Sequence, residues 1–114
     1  RALHLHALER ADRSDPVLRD EIARLEVDHA VGRMLVYRTV MGQGLAGFSA
    51  GTKLQCTLYE QRVADFAARV LGPEAMGWDR WVKEIAYAPA YTIMAGTSDV
   101  MRNILSERVL GLPR

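Results

Sequence analysis

The residues best suited to chemistry lie near the C-terminus, where an apolar segment runs into Gly96 and three polar residues follow. Thr97 and Ser98 can cap a new helix, and Asp99 is favourable in its first turn. A glycine turn before a helix start leaves backbone N–H groups that can bind an anion or a carbonyl oxygen. The alternative is an ordinary capped junction between two helices, which is common in proteins.

Other reactive side chains are few and isolated. Cys56 is the single cysteine, so the chain forms no internal disulfide. Its apolar surroundings in the sequence favour a small core residue over a nucleophile. His4, His6 and His29 are too scattered for a metal site, because zinc usually takes three or four ligands. We therefore expect no metal in this chain.

The composition excludes several classes of partner. Of 114 residues, 49% are hydrophobic and 25% are charged, and the formal net charge is +1. This balance gives no electrostatic reason to expect nucleic acid or an anionic membrane as a partner. No apolar run approaches the roughly 20 residues of a membrane span. A lone cysteine is typical of the cytosol, so we expect a cytoplasmic protein.

Helical periodicity and helix-end signals organise the chain. They predict helical stretches over 1–12, 16–42, 50–71 and 78–94, and a final helix after Gly96. Asp15 as N-cap with Pro16 in the first position is a strong helix start. Gly72 and Pro73 end the second long helix. Pro89 predicts an interruption within 78–94, near Ala88.

The helices predict an all-α fold. Three long helical patterns joined by glycine-rich breaks indicate an antiparallel helical bundle, and the chain has no strand pattern of period two. In the final helix, Val100, Ile104 and Leu105 repeat at helical spacing, with Val109 close to the same face. We expect residues 1–114 to form a single domain.

One apolar face exceeds what a small bundle can cover. The helix over 16–42 carries Val31, Met34, Tyr37 and Val40 outside its main apolar stripe. Exposed apolar patches of this kind usually mark interfaces. The sequence therefore predicts association with copies of itself or with another chain.

Two stretches carry a family resemblance. Residues 94–103, MAGTSDVMRN, resemble the Gly-Thr-Ser-Glu-x-x-Arg motif of the acyl-CoA dehydrogenases, and residues 107–114, ERVLGLPR, are similar to the C-terminus of many bacterial members. Over 16–77 the likeness is looser. The resemblance implies the C-terminal helical domain of a longer FAD enzyme, inactive alone. It also implies an acyl-CoA substrate and electron-transfer flavoprotein or a similar acceptor.

The resemblance also implies roles for single residues. The family abstracts the α-proton of an acyl thioester while the β-hydrogen leaves as hydride to the flavin. Many members place the carboxylate base where this chain has Ala95, whose methyl group accepts no proton. The N–H of Ala95 can still bind the thioester oxygen, and Gly96 allows close approach of the acyl-CoA. Thr97, Ser98 and Asp99 match positions that contact FAD in relatives.

Two further motifs depart from the family pattern. Relatives often carry Gln-x-x-Gly-Gly, which reaches the FAD of a neighbouring subunit, where this chain has residues 69–73, RVLGP. Arg69 can meet the diphosphate there, beside Gly72, or be an ordinary surface arginine. Pro73 has no N–H to donate. The Arg-x-x-Phe-Gly loop of relatives is absent, and residues 13–16 stand in its place.

Four hypotheses follow for the whole protein. It is an FAD-dependent acyl-CoA dehydrogenase whose base lies upstream of Arg1, as in some relatives with Ala-Gly-Thr-Ser. Alternatively, it is a non-catalytic subunit paired with a homologue that carries the base. Some bacterial dehydrogenases of steroid side-chain thioesters resemble this arrangement. A purely structural helical module and a flavin oxidase or monooxygenase are the other options.

Overall fold

The structure is a computed structural model that describes residues 1–113. Arg114, the last residue of the C-terminal resemblance, lies outside the described residues. Five α-helices follow one another: α1 (Ala2–Arg10), α2 (Pro16–Val40), α3 (Phe48–Leu71), α4 (Arg80–Tyr87) and α5 (Ser98–Ile104). Short 3₁₀ helices at Gly72–Met76 and Ala88–Thr92 flank α4, and a π-helical turn at Leu105–Val109 continues α5. No strand occurs within residues 1–113, and the predicted all-α antiparallel bundle is confirmed.

Local sequence explains where the helices begin and end. Asp15 accepts a hydrogen bond from the Val17 N–H at 2.8 Å, with Pro16 in the first helical position, as predicted. Asp79 caps α4 in the same way, through the Val82 N–H at 2.9 Å. The predicted interruption at Ala88 is confirmed, because the α-helix ends at Tyr87 and a 3₁₀ helix containing Pro89 follows.

Helix α3 is the central element, and the other helices pack around it. The main core lies between α1, α2 and α3 and comprises Leu3, Ala7, Leu25, Tyr59, Val63, Phe66, Ala67 and Leu71. At the N-terminal end of α3, the end of the chain approaches closely at two glycines. A Cβ on Gly51 would lie 3.3 Å from Leu105, and one on Gly47 would lie 3.1 Å from Arg108.

The final helical segment faces α3 through most of the apolar positions that the spacing picks out, since Ile104, Leu105 and Val109 are partly buried. Val100 departs from this face, with 47% exposure, and Met101 is the buried residue of α5. The turn before α5 places the Met101 side chain over Gly96.

Among residues 1–113, no helix is long and apolar enough to cross a membrane.

Candidate functional site

The turn before α5 has an unusual backbone. Ala95 has a φ of 54° and Gly96 a φ of 102°, and Ala95 is the only non-glycine residue with positive φ among residues 1–113. A left-handed conformation costs an L-residue roughly 1–2 kcal/mol. Such strain persists only where surrounding contacts impose it, and it is concentrated at functional sites.

The backbone at Gly96 favours glycine, and the Met101 side chain packs against it. Its φ of 102° is a conformation that residues with a side chain rarely adopt. A Cβ at this position would also lie 2.3 Å from Cε of the buried Met101. The methionine thus packs directly on the glycine, and the turn closes tightly against the helix that follows.

Two polar contacts connect the C-terminal part of the chain to α3. The Lys53 ammonium donates a hydrogen bond to the carbonyl oxygen of Gly96 at 2.7 Å. Further along α3, the Gln61 side chain donates to the Thr92 hydroxyl at 3.3 Å. The turn at Gly96 is therefore contacted by Lys53 of α3 and by Met101 of α5.

The start of α5 supplies the polar groups expected there. The Thr97 hydroxyl accepts a hydrogen bond from the Val100 N–H at 3.3 Å, so Thr97 is the N-cap. The Ser98 hydroxyl is buried and has no hydrogen-bond partner in the described part of the chain. Asp99 is paired with Arg102 at 2.8 Å on the same helix.

Backbone N–H groups complete the turn. The amides of Ala95, Gly96 and Thr97 donate no backbone hydrogen bond within residues 1–113. The surface at Ala95 is open to solvent. The turn therefore offers N–H donors at an accessible, strained corner, which is the arrangement that binds a carbonyl oxygen or an anion.

Arg69 and Gly72 lie at the other end of α3. The Arg69 guanidinium forms an ion pair with Glu21 of α2, and Gly72 has a φ of 53° with open space around its Cα. Sixteen residues separate Arg69 from Lys53, which corresponds to about 24 Å along a helix. The structure brings residues 95–99 together and leaves Arg69 and Gly72 far from them in this chain.

Each histidine has a structural partner, and His4 and His29 share Tyr59. His4 is fully buried, with Nδ1 2.8 Å from the Tyr59 hydroxyl and 2.9 Å from Nη1 of Arg1. His6 stacks on Trp81 with ring centroids 4.1 Å apart. The His29 ring lies 5.7 Å from the Tyr59 ring. No group of three or more metal-ligating side chains occurs among residues 1–113.

Burial explains the pKa of two reactive groups. The pKa of His4 is lowered, first by burial and then by the nearby positive charge of Arg1. The pKa of the Cys56 thiol is raised, mainly by burial and also by Glu60. A thiol with a raised pKa is a poor nucleophile, which fits a packing role for Cys56.

Sequence reasoning missed Lys53. The available signal is that Lys53 is the one charged residue between Phe48 and Tyr59, in an otherwise uncharged half of a long helix. A lone charge in such a stretch indicates a tertiary partner or an exposed position. In the structure the charge has a tertiary partner, because the turn at Gly96 packs against this half of α3.

Comparison with known proteins identifies the family. The family model described as acyl-CoA dehydrogenase, C-terminal domain, matches residues 2–110. The chain therefore belongs to the acyl-CoA dehydrogenase family and corresponds to its C-terminal domain.

Two curated relatives match at low identity. Both are named acyl-CoA dehydrogenase IpdE1. The one from Mycobacterium tuberculosis is 29% identical over 88% of this chain, and the one from Mycolicibacterium smegmatis is 28% identical over 97% of it. The matches span only 28% and 30% of those relatives, so this chain covers less than a third of their length. No solved structure matches significantly.

Proposed function

We propose that residues 1–114 are the C-terminal helical domain of an FAD-dependent acyl-CoA dehydrogenase, which desaturates an acyl-CoA thioester between its α and β carbons. The domain contributes to the FAD site, the acyl-CoA site and subunit association. The observation that carries the proposal is the strained turn at Ala95 and Gly96, which presents backbone donors immediately before a capped helix. The family membership and the printed names of the two relatives agree with it.

The turn suits one part of the reaction. When the α-carbon of the substrate loses its proton, negative charge develops on the thioester oxygen, and a hydrogen-bond donor aimed at that oxygen stabilises it. The Ala95 N–H is such a donor. Gly96 has no side chain to block the approach of the acyl-CoA.

FAD, when bound, accepts the β-hydrogen as hydride. The residues at the start of α5 fit a polar cofactor, because the Ser98 hydroxyl is buried without a partner and the Thr97 amide donates no backbone hydrogen bond in the described part of the chain. Asp99 fits less directly, since its carboxylate pairs with Arg102. Arg69 is paired with Glu21, so a role at a diphosphate requires that ion pair to open.

The proton acceptor is not at residue 95. Ala95 has a methyl group and accepts no proton, so in the proposed dehydrogenase we place the base in a part of the protein that precedes this domain. This same observation favours a second candidate function, a subunit without a base that pairs with a catalytic homologue. We favour the first, because the donors that polarise the thioester oxygen remain in place.

Subunit association has a structural basis in α2. Val31, Met34, Tyr37 and Val40 are all exposed in this chain, Met34 at 66% and Val40 at 80%. These side chains lie on a helix whose other side packs on the core through Leu25. We propose that this face of α2 is covered by another subunit in the assembled protein.

We also propose that the assembled enzyme works in the cytoplasm. Its electrons would pass from the flavin to electron-transfer flavoprotein or a similar acceptor.

The test is to purify the full-length protein and measure its flavin content and its dye-linked turnover of a panel of acyl-CoA thioesters. We expect bound FAD, turnover of at least one thioester and an enoyl-CoA product. A flavin-free protein that binds no acyl-CoA would contradict both candidate functions. FAD-bound protein that becomes active only with a homologous subunit would select the second.

A further inference from the structure

Lys53 has an unusual environment for a lysine in the middle of a helix. Its side chain is half-buried, and its Nζ lies 2.7 Å from the carbonyl oxygen of Gly96. No carboxylate within residues 1–113 forms an ion pair with it. The chain has one other lysine, Lys83, which is exposed on α4. The charged group of Lys53 therefore contacts one backbone carbonyl, and this contact can fix the direction of the peptide group that contains it.

The contact determines which way one peptide group faces. In a trans peptide the C=O and the following N–H point in opposite directions. Because the Gly96 carbonyl points toward Lys53 on α3, the Thr97 N–H points away from α3, toward the open side of the turn. Glycine adopts several backbone conformations readily, so the Gly96–Thr97 peptide can flip unless a contact holds it. A hydrogen bond to a charged group shifts such a local equilibrium by roughly 10- to 100-fold.

We propose that Lys53 is a positioning residue of the site, which fixes the Gly96–Thr97 peptide so that the Thr97 amide faces the cofactor and the turn that carries the Ala95 amide keeps its shape. The inference rests on the proposed function for the identity of the ligands. Its geometric part, that Lys53 orients the turn, stands on the contact to Gly96. Lys53 touches no reacting atom in this account and acts through the backbone.

Three variants of the full-length protein test this. Lys53→Met keeps the aliphatic side chain and removes the ammonium group. Lys53→Arg keeps a charged donor, and Lys83→Met is the matched control because it removes the exposed lysine of the chain. For each variant we would measure kcat and KM for an acyl-CoA, the thermal unfolding midpoint, and hydrogen exchange across residues 93–101 in FAD-free protein.

We expect Lys53→Met to lower kcat by roughly 10- to 100-fold with a KM within about threefold of wild type, because misplaced donors lose transition-state stabilisation. Lys53→Arg should recover most of the loss, and Lys83→Met should match wild type. Exchange at the Met101 amide, which bonds to the Thr97 carbonyl at 3.0 Å, should become faster only in Lys53→Met.

The outcomes separate this inference from the proposed function. Active wild-type protein together with an unchanged kcat in Lys53→Met would overturn the inference and leave the function intact. Unchanged exchange would also overturn it. Wild-type protein without turnover, combined with faster exchange in Lys53→Met, would contradict the function and support the orienting role. A lower unfolding midpoint with kcat unchanged would make Lys53 merely structural.

Discussion

At the scale of single residues, Gly96 is where backbone geometry and packing coincide. Its φ of 102° is one that residues with a side chain rarely adopt, and the Met101 methyl group lies 2.3 Å from where a Cβ would be. The backbone conformation of Gly96 and its contact with Met101 are both steric, so neither depends on charged groups or on solvent. Both follow from the direction in which the chain must turn between Thr92 and the start of α5.

The first prediction compares two glycines. Gly96→Ala should lower the thermal unfolding midpoint and weaken flavin retention, because the backbone strain alone costs roughly 1–2 kcal/mol and the Met101 contact adds to it. Gly32→Ala is the control. Its Cβ would lie 3.6 Å from Cys56 Sγ, an ordinary contact, and alanine is favoured over glycine within a helix by about 1 kcal/mol.

The control should therefore raise the unfolding midpoint or leave it unchanged. The full-length protein is the sample, with thermal melts and flavin fluorescence as readouts. If Gly96→Ala melts like wild type and retains its flavin, the turn is not as rigid as described.

At the scale of elements, α1 and α3 are joined by a buried polar contact. Arginine only donates hydrogen bonds, so Nδ1 of His4 accepts from Arg1 and the ring proton is on Nε2. Nε2 itself has no hydrogen-bond partner in the described residues and lies 3.8 Å from Glu26. Protonating Nδ1 would remove the acceptor of the Arg1 hydrogen bond and place a second positive charge beside the guanidinium. The neutral ring therefore suits the folded state.

The second prediction concerns pH. The folded pKa of His4 lies below its usual value of about 6.5, so the unfolded chain takes up a proton that the folded chain does not. The associated stability is fully present above about pH 6.5 and is lost as pH falls from there through the folded pKa. The pKa of His29 is lowered as well, mainly by burial, and acts in the same direction.

Thermal unfolding midpoints between pH 8 and pH 5 test this. The midpoint should fall on acidification, and His4→Gln should be less stable at pH 8 but show a shallower pH dependence. His6→Gln, which changes the ring stacked on Trp81, serves as the matched control. An identical slope in wild type and His4→Gln would show that His4 does not control the acid response.

Helix-end chemistry made most of the elements predictable. Asp15 with Pro16, Gly72 with Pro73, and Pro89 are local signals, and the helices begin or end where these residues stand. The burial of Met101 and the contact made by Lys53 were not predictable in this way. Both depend on a tertiary contact with the turn at Gly96, and spacing along the chain carries no information on that contact.

At the scale of the whole molecule, the domain is elongated, with principal extents of 47 × 26 × 24 Å. Its long helices α2 and α3 leave one side of α2 uncovered. Met34 and Tyr37, at 66% and 54% exposure, are larger apolar groups than a solvated helix face normally carries. This exposed face is the reason to expect an interface.

The third prediction is that this face lies in an interface. In the full-length protein, Met34→Glu should lower the mass measured by analytical ultracentrifugation, because an unpaired charge in an apolar interface is strongly unfavourable. Lys83→Glu, at an exposed position on α4 away from this face, should leave the mass unchanged. A wild-type protein that is monomeric at high concentration would contradict the prediction.

The central claim is that the turn at Ala95 lies beside the reacting carbon of an acyl-CoA, and Ala95→Glu tests it most directly. The backbone already has positive φ there and the position is exposed, so a glutamate fits without a new type of strain. Val100→Glu is the matched control, because it adds the same charge at a 47% exposed position within α5.

Dye-linked turnover of an acyl-CoA by the full-length, FAD-loaded protein is the measurement. With a base elsewhere in the protein, a second carboxylate beside the thioester raises one of the two pKa values, so activity falls or its pH profile shifts. With no base, the new glutamate creates activity, since a positioned proton acceptor is worth roughly 10²- to 10⁴-fold. If residue 95 lies at the reacting carbon, Ala95→Glu should either lower the activity, shift its pH profile or create activity. Val100→Glu should do none of these. Equal turnover and pH profiles in wild type and Ala95→Glu would contradict the central claim, because residue 95 would then lie away from the reacting carbon.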